Sequence, residues 1–422
     1  MFVTTQIAKG VSLHIRQTAQ FKTVNFSIKW RAPLSPEAAA ERTVLSNVLQ
    51  HSNERFKTSA SYRSYLDDLY GTVLYFDTSK RGHEHTLLLN VETVNDHYLN
   101  DSNVLQDVLK LLHTAIFEPN VENGAFIPSI VEREKAIVSD RIQAIFDDKS
   151  RYAQQQLLKI MRPNSAASTS ANGNEEHVQA VTPESLMNAY KSMLANDLID
   201  IYVVGDIDIE QIEAQLKEAL PFTDRQTVNT SSPKLESPDE VEAYTKEQQD
   251  MKQGKLHIGY EVPVFFGDET FPHVQIFNGI FGGYAHSKLF MNVRERESLA
   301  YYASSSYASH YGLIFVVSGI EPSNEQKAIE VIDEQLQVMQ KGDISDLELA
   351  QTKAMLTNQM KEALDSARGQ IEIFDQYKGL PEPFAFETWA AKWQAVTKED
   401  VQNIAKLVNK QAVYFLCGKE DK

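Results

Sequence analysis

A helix-and-strand phrase written twice limits this chain to a duplicated architecture. The segment VQAVTPESLMNAYKSMLANDLIDIYVVGDID, from Val178, returns as WQAVTKEDVQNIAKLVNKQAVYFLCGKED, from Trp393. QAVT begins at Gln179 and again at Gln394, and the closing glycines are Gly205 and Gly418, so the copies lie roughly half a chain apart. Thr182 and Thr397 suit the N-cap of a helix, Pro183 suits its first position, and acidic residues in the first turn of both favour the helix dipole. The runs IDIYVVG and AVYFLCG are short, apolar and rich in β-branched or aromatic residues, as a strand covered on both faces should be.

A chain of 422 residues is long enough for two domains, each burying its own core. Between the copies, Arg225 to Gln253 is polar and rich in Ser, Pro and Glu, and reads as a linker. The expected domains are therefore 1–224, a linker over 225–253, and 254–422. A formal charge of −17, with no compensating basic cluster, argues against a nucleic-acid partner. The lone cysteine, Cys417, sits in an apolar run and fits a reducing cytoplasm. No stretch has the continuous apolar length of a signal core or a membrane span.

In the first half, PEAAAERTVLSNVLQHS, from Pro36, has helical apolar spacing at Val44, Leu45, Val48 and Leu49, and the helix ends in Asn47-Val48-Leu49-Gln50-His51. A basic FKTS segment, an LDDLYG turn and two strand-like runs follow. This order resembles the insulinase/pitrilysin group of inverted zincins, which includes the mitochondrial processing peptidases. Active members carry H-x-x-E-H in this window: two histidines four apart hold zinc, and the glutamate is the general base. Here the pattern is N-x-x-Q-H. Asn47 stands for the first ligand, Gln50 for the base, and only His51 remains; a glutamine cannot take a proton from water near neutral pH. Counting seven residues from Glu134 of the ERE segment, as the resemblance directs, puts Arg141 at the third ligand position, with Asp140 as the alternative. A cation there opposes a metal. No metal or other cofactor is expected, and no catalytic residue of the chain's own. A separate metal site at His83-Glu84-His85 is the weaker reading, since residues two apart share a strand face but no further ligand is evident.

The second half contains YAHSKLFMNVRERESLAYYASSSYASHYGLIFVVSG, after a helix from Phe271 with Val274, Phe277 and Phe281 on one side and Gly282-Gly283 at its end. The series GG, S-x-L-F, V-R-E and L-A-Y resembles the same family's second half. That resemblance makes Arg294 and Tyr301 peptide-contacting residues. A guanidinium grips carbonyl oxygens with fixed geometry, and a phenol can donate to a developing oxyanion.

The expected fold is α+β: two tandem homologous α/β-roll halves, each a mixed sheet backed by helices, joined by a polar linker. The resemblance adds a clam shell enclosing a peptide. It also implies a non-catalytic homologue of the bacterial YmfF-like (YfmF) branch, partnered by a zinc-bearing sister subunit and linked to elongation factor P modification. A scaffold subunit and a stand-alone peptide-binding module are the alternatives, and self-association is left open.

Overall fold

Both copies of the repeated phrase fold as their sequences predict. Thr182 and Thr397 each close a capping box: the threonine side chain accepts from the backbone N–H of Ser185 or Asp400, and the side chain of that residue accepts from the threonine N–H. The computed structural model describes residues 1–100, 103–225 and 243–419.

In chain order the strands are β1 (Val3–Ala8), β2 (Val11–Gln17), β3 (Thr23–Pro33), β4 (Val73–Arg81), β5 (Glu84–Val94), β6 (Val121–Glu122), β7 (Ala125–Phe126), β8 (Leu198–Gly205), β9 (Ala243–Gln249), β10 (Gly254–Glu261), β11 (Ala300–Ala308), β12 (Leu313–Ile320) and β13 (Asn409–Gly418). The helices that matter below are α1 (Pro36–His51), α2 (Pro128–Asp147), α3 (Lys149–Met161), α4 (Phe271–Asn278), α5 (Asp346–Leu364) and α6 (Ala367–Tyr377).

Two sheets result. Read from one edge, the first runs β4-β5-β3-β8-β2-β1 and the second β11-β12-β10-β13-β9. In both, the first four strands are antiparallel neighbours and the fifth is parallel to the fourth, β2 to β8 and β9 to β13. The duplication therefore extends to strand order and sense, with β1 as an addition to the first copy. It also corrects the linker. β9 lies within 225–253 and is the counterpart of β2, so the second sheet begins there; residues 226–242 lie outside the described residues. Its sequence AYTKEQQ is polar because it is an edge strand with every second residue exposed.

Each sheet buries one face against its own helices. In the first, Phe26, Ile28 and Trp30 pack with Val44, Leu45, Val48 and Leu49 of α1, all essentially inaccessible. In the second, Val274, Phe277 and Phe281 are fully buried, the last two with rings stacked.

The compact units do not follow the halves of the sequence. Among the described residues one unit comprises 1–143, 169–225 and 365–375, and the other 144–168, 243–364 and 376–419. The reason is how the second sheet faces are covered. Ala153, Leu157 and Met161 of α3 pack on Phe315, Tyr414 and Leu416 of the second sheet. A Cβ at Gly259 would stand 2.0 Å from Met161 Sδ, so a side chain there would require the end of Met161 to move. Conversely, Ala367 and Ile371 of α6 pack on Tyr202 and Val204 of β8.

Beneath that start of α6 lies a buried charge network. Lys29 Nζ is 2.9 Å from Glu372 and 3.1 Å from Asp375, Arg81 is 3.0 Å from Asp375, and Tyr202 donates to the same carboxylate at 2.5 Å. Alternate β-strand positions that face away from the helix layer carry these groups, and the network extends to Arg31, Asp200 and His14.

Candidate functional site

Ser35 caps α1 by accepting from Ala38 N–H, Pro36 takes its first position, and the helix runs without a break to His51. Asn47 and His51, four apart, share a face. Their surroundings give these residues partners of their own. His51 Nδ1 stands 3.2 Å from Glu134 Oε1, and Glu134, on α2, is completely buried. Arg133 grips the same oxygen through Nε and Nη2, at 2.9 and 2.7 Å. Burial pushes the Glu134 carboxyl up, but the bonds and charge from His51 and Arg133 outweigh it and hold the pKa below the ordinary value. Asn47 Nδ2 and Glu134 Oε2 are buried without a protein hydrogen-bond partner.

Gln50 has a different task. Its Nε2 donates to Leu74 carbonyl at 3.2 Å and its Oε1 accepts from Phe76 N–H at 2.6 Å. A carbonyl and the N–H two residues on point to the same side of a strand, so the amide takes the pair of bonds that a further strand would make to the edge strand β4.

These residues do not fit a zinc ion. Gln50 is committed to β4, Glu134 is already neutralised by Arg133, and Asp140 and Arg141 are both exposed, with no described contact to Asn47, Gln50 or His51. Among the described residues no group of three His, Cys, Asp or Glu side chains is placed to hold a metal. The sequence signal for Glu134 was present in the ERE segment, but it served there only as a counting mark. Gln50 gave no signal for strand pairing, because that depends on β4 being an edge.

The His83–His85 alternative is resolved by hydrogen bonding. His85 is fully buried; Nδ1 accepts from Arg42 Nε at 2.9 Å, and Nε2 donates to Ala171 carbonyl at 2.9 Å. Burial first, and the Arg42 charge second, push its pKa down to about 4. Both ring nitrogens are engaged, leaving none for a metal.

Arg294 and Tyr301 lie in the other unit. Arg294 sits in a π-helical stretch, Phe290–Arg296, rather than an ordinary helix; its guanidinium lies over the Phe290 ring at 4.6 Å and 3.6 Å from Glu295. Tyr301 is displayed by a bulge: Ala300 pairs with Ile320 and Tyr302 with Gly319, leaving Tyr301 as the extra residue at the start of β11. It is 56% exposed, and its hydroxyl donates to Glu321, just beyond β12. That bond raises the phenol pKa. No described contact joins Arg294 to Tyr301. Glu321 escaped the sequence reading because only the β11–β12 register brings it to Tyr301.

Comparison with known proteins identifies the family. The family described as "Peptidase M16 inactive domain" matches residues 180–356. The chain is 38% identical to "Probable inactive metalloprotease YmfF" of Bacillus subtilis, over 97% of this chain and 96% of that protein. A crystal structure of a conserved protein from Enterococcus faecalis superposes with a TM-score of 0.94 at 34% identity, covering 100% and 99% of the two chains. A structure titled as peptidase M16 inactive domain, from Pseudomonas fluorescens, shares the fold with a TM-score of 0.80 at 16% identity, covering 100% and 99%. On this likeness the chain belongs to the M16, insulinase-type, peptidase family, as an inactive homologue.

Proposed function

We propose that this chain is the non-catalytic partner of a zinc-bearing M16 peptidase and supplies Arg294 and Tyr301 to the handling of a peptide. The observation that carries the reading is the contrast between the two units. Gln50 and Glu134 are tied into structure, whereas Tyr301 is set out on a bulge with more than half its surface exposed and an acidic residue orienting its hydroxyl. The arrangement can hold and polarise a peptide but cannot generate the attacking hydroxide, so the chemistry must come from another chain. The acidic composition and buried Cys417 suit a cytoplasmic setting, and the link to elongation factor P modification is carried only by the resemblance stated from the sequence.

The direct test is affinity capture of the tagged chain from its native cell. A co-purifying relative of similar length with an intact H-x-x-E-H supports the proposal. Recovery of the chain alone, or only with proteins lacking that motif, contradicts it.

A further inference from the structure

Between Phe290 and Tyr302, the stretch that carries Arg294 and Tyr301, the backbone leaves regular geometry at three places. The helix widens to the π form over Phe290–Arg296, and Glu297 N–H donates to the Asn292 carbonyl, five residues back, at 3.1 Å. Ser298 follows in the left-handed region, at φ 52°. Then comes the bulge that sets out Tyr301. Leu299 N–H closes the turn around Ser298 by donating to the Val293 carbonyl at 3.0 Å. In the ordinary left-handed cap this bond goes to the residue now occupied by Arg294; the wide turn moves it one residue back.

The left-handed cap position usually belongs to glycine, because a Cβ there crowds the backbone. Ser298 gets nothing in return through its side chain, which is exposed and makes no hydrogen bond among the described residues. What imposes the conformation lies on either side. On the helix side, Leu289 and Val293 are fully buried, Lys288 Nζ is 2.9 Å from Glu348 of α5, and Asn292 Nδ2 donates to the Lys288 carbonyl at 2.9 Å and to Gln335 Oε1 at 2.8 Å. On the strand side, β11 is paired along its length with β12. From Arg294 to Ser298 every residue is exposed, so the direction of the chain between these two anchors is set by backbone conformation rather than by burial.

We infer that Ser298 is the positioning residue of the Arg294 and Tyr301 pair: its left-handed backbone, and not its hydroxyl, turns the chain from the wide helix into β11 so that Tyr301 falls on the bulge. A chain entering β11 without that turn would slip along β12. A slip of one residue exchanges the two faces of a strand, so Tyr302 would take the place of Tyr301. Backbone held in such sparsely populated regions gathers at functional sites, where the surrounding structure maintains it. The consequence for peptide turnover rests on the partner proposal above; the placement of Tyr301 by Ser298 does not.

The test labels the full chain with 3-fluorotyrosine and follows the Tyr301 signal by fluorine NMR, assigned through its loss in Tyr301→Phe. Ser298→Gly and Ser298→Asn, which tolerate the left-handed region, should leave that signal in place. Ser298→Val, β-branched and ill suited to it, should displace or broaden the signal, while tyrosines outside β11, Tyr202 among them, stay unmoved and report an intact fold. Ser298→Ala, which lacks the hydroxyl as glycine does but keeps a Cβ, should lie between the two and replaces the valine variant if that does not fold. In the mixed complex Ser298→Val should lower peptide turnover about tenfold, the population cost of one left-handed residue, and Ser298→Gly should turn over as the parent does. An unmoved Tyr301 signal in both Ser298→Val and Ser298→Ala overturns the inference. So does a Ser298→Gly spectrum that changes as the valine variant's does, since the hydroxyl would then be the cause. Unchanged turnover in Ser298→Val, where Tyr301→Phe lowers it, also overturns the assigned role. If Tyr301→Phe leaves turnover unchanged while the fluorine pattern holds, the partner proposal fails and the placement of Tyr301 by Ser298 stands.

Discussion

Gln50, which the resemblance sets at a general-base position, is committed instead to two hydrogen bonds with the backbone of β4. A glutamate there could still accept from Phe76 N–H, but it would lose the donation to Leu74 carbonyl and face that oxygen with negative charge. Gln50→Glu should therefore destabilise the chain by about 1–3 kcal/mol at neutral pH, read as a lower denaturant midpoint, with part of the loss recovered in acid where the carboxyl can donate. Asn47→His combined with Gln50→Glu should still yield no stoichiometric zinc by metal analysis. Glu134 is held by Arg133, and Arg141 adds only a positive charge to the helix that would supply a third ligand. One tightly held zinc per chain in that double variant would show that α2 can furnish the missing donor.

Among the elements, α6 carries the most informative contact. Asp375 accepts from Lys29, Arg81 and Tyr202, and Lys29 is 3% exposed. Asp375→Ala strands those groups, and with Glu372 still available to Lys29 the cost should be about 3 kcal/mol, the lower end for breaking a buried pair; calorimetric melting checks it. The sequence revealed elements better than their destinations. The capped helices at Thr182 and Thr397 and the apolar face of α1 were legible because capping and periodicity are local. That α3 covers the second sheet and α6 the first was not, since an amphipathic pattern reports an apolar face and not the sheet that receives it. β9 was hidden for the opposite reason: its exposure makes a strand look like a linker. At the candidate sites, Asn47, Gln50 and His51 were singled out by the resemblance of one five-residue window, and spacing alone would leave them an ordinary helix end. Glu134 at His51 and Glu321 at Tyr301 depend on helix packing and strand register, which spacing does not contain.

At the scale of the whole molecule, two buried histidines make stability depend on pH. Burial, aided by Arg42 at His85 and by Lys255 at His257, pushes both pKa values down to about 4. The unfolded chain, with histidine near 6.5, binds more protons than the folded one between these values. The stabilising contribution is thus fully present above about pH 6.5 and is lost as pH falls towards 4, by up to about 3 kcal/mol for each histidine. Denaturant unfolding at pH 7 and pH 4.5 should show the decline, and His85→Gln should flatten it. No helix among the described residues is long and apolar enough to cross a membrane. The central claim concerns the division of labour between this chain and a catalytic one, and turnover of the mixed complex by Tyr301→Phe tests it most directly. That variant keeps the ring and removes only the hydroxyl now shared with Glu321. With assembly verified, peptide turnover should fall about a hundred-fold or more, the loss expected when a hydrogen bond made mainly in the transition state is removed; an unchanged rate in an intact complex would contradict the account and leave the chain a structural role.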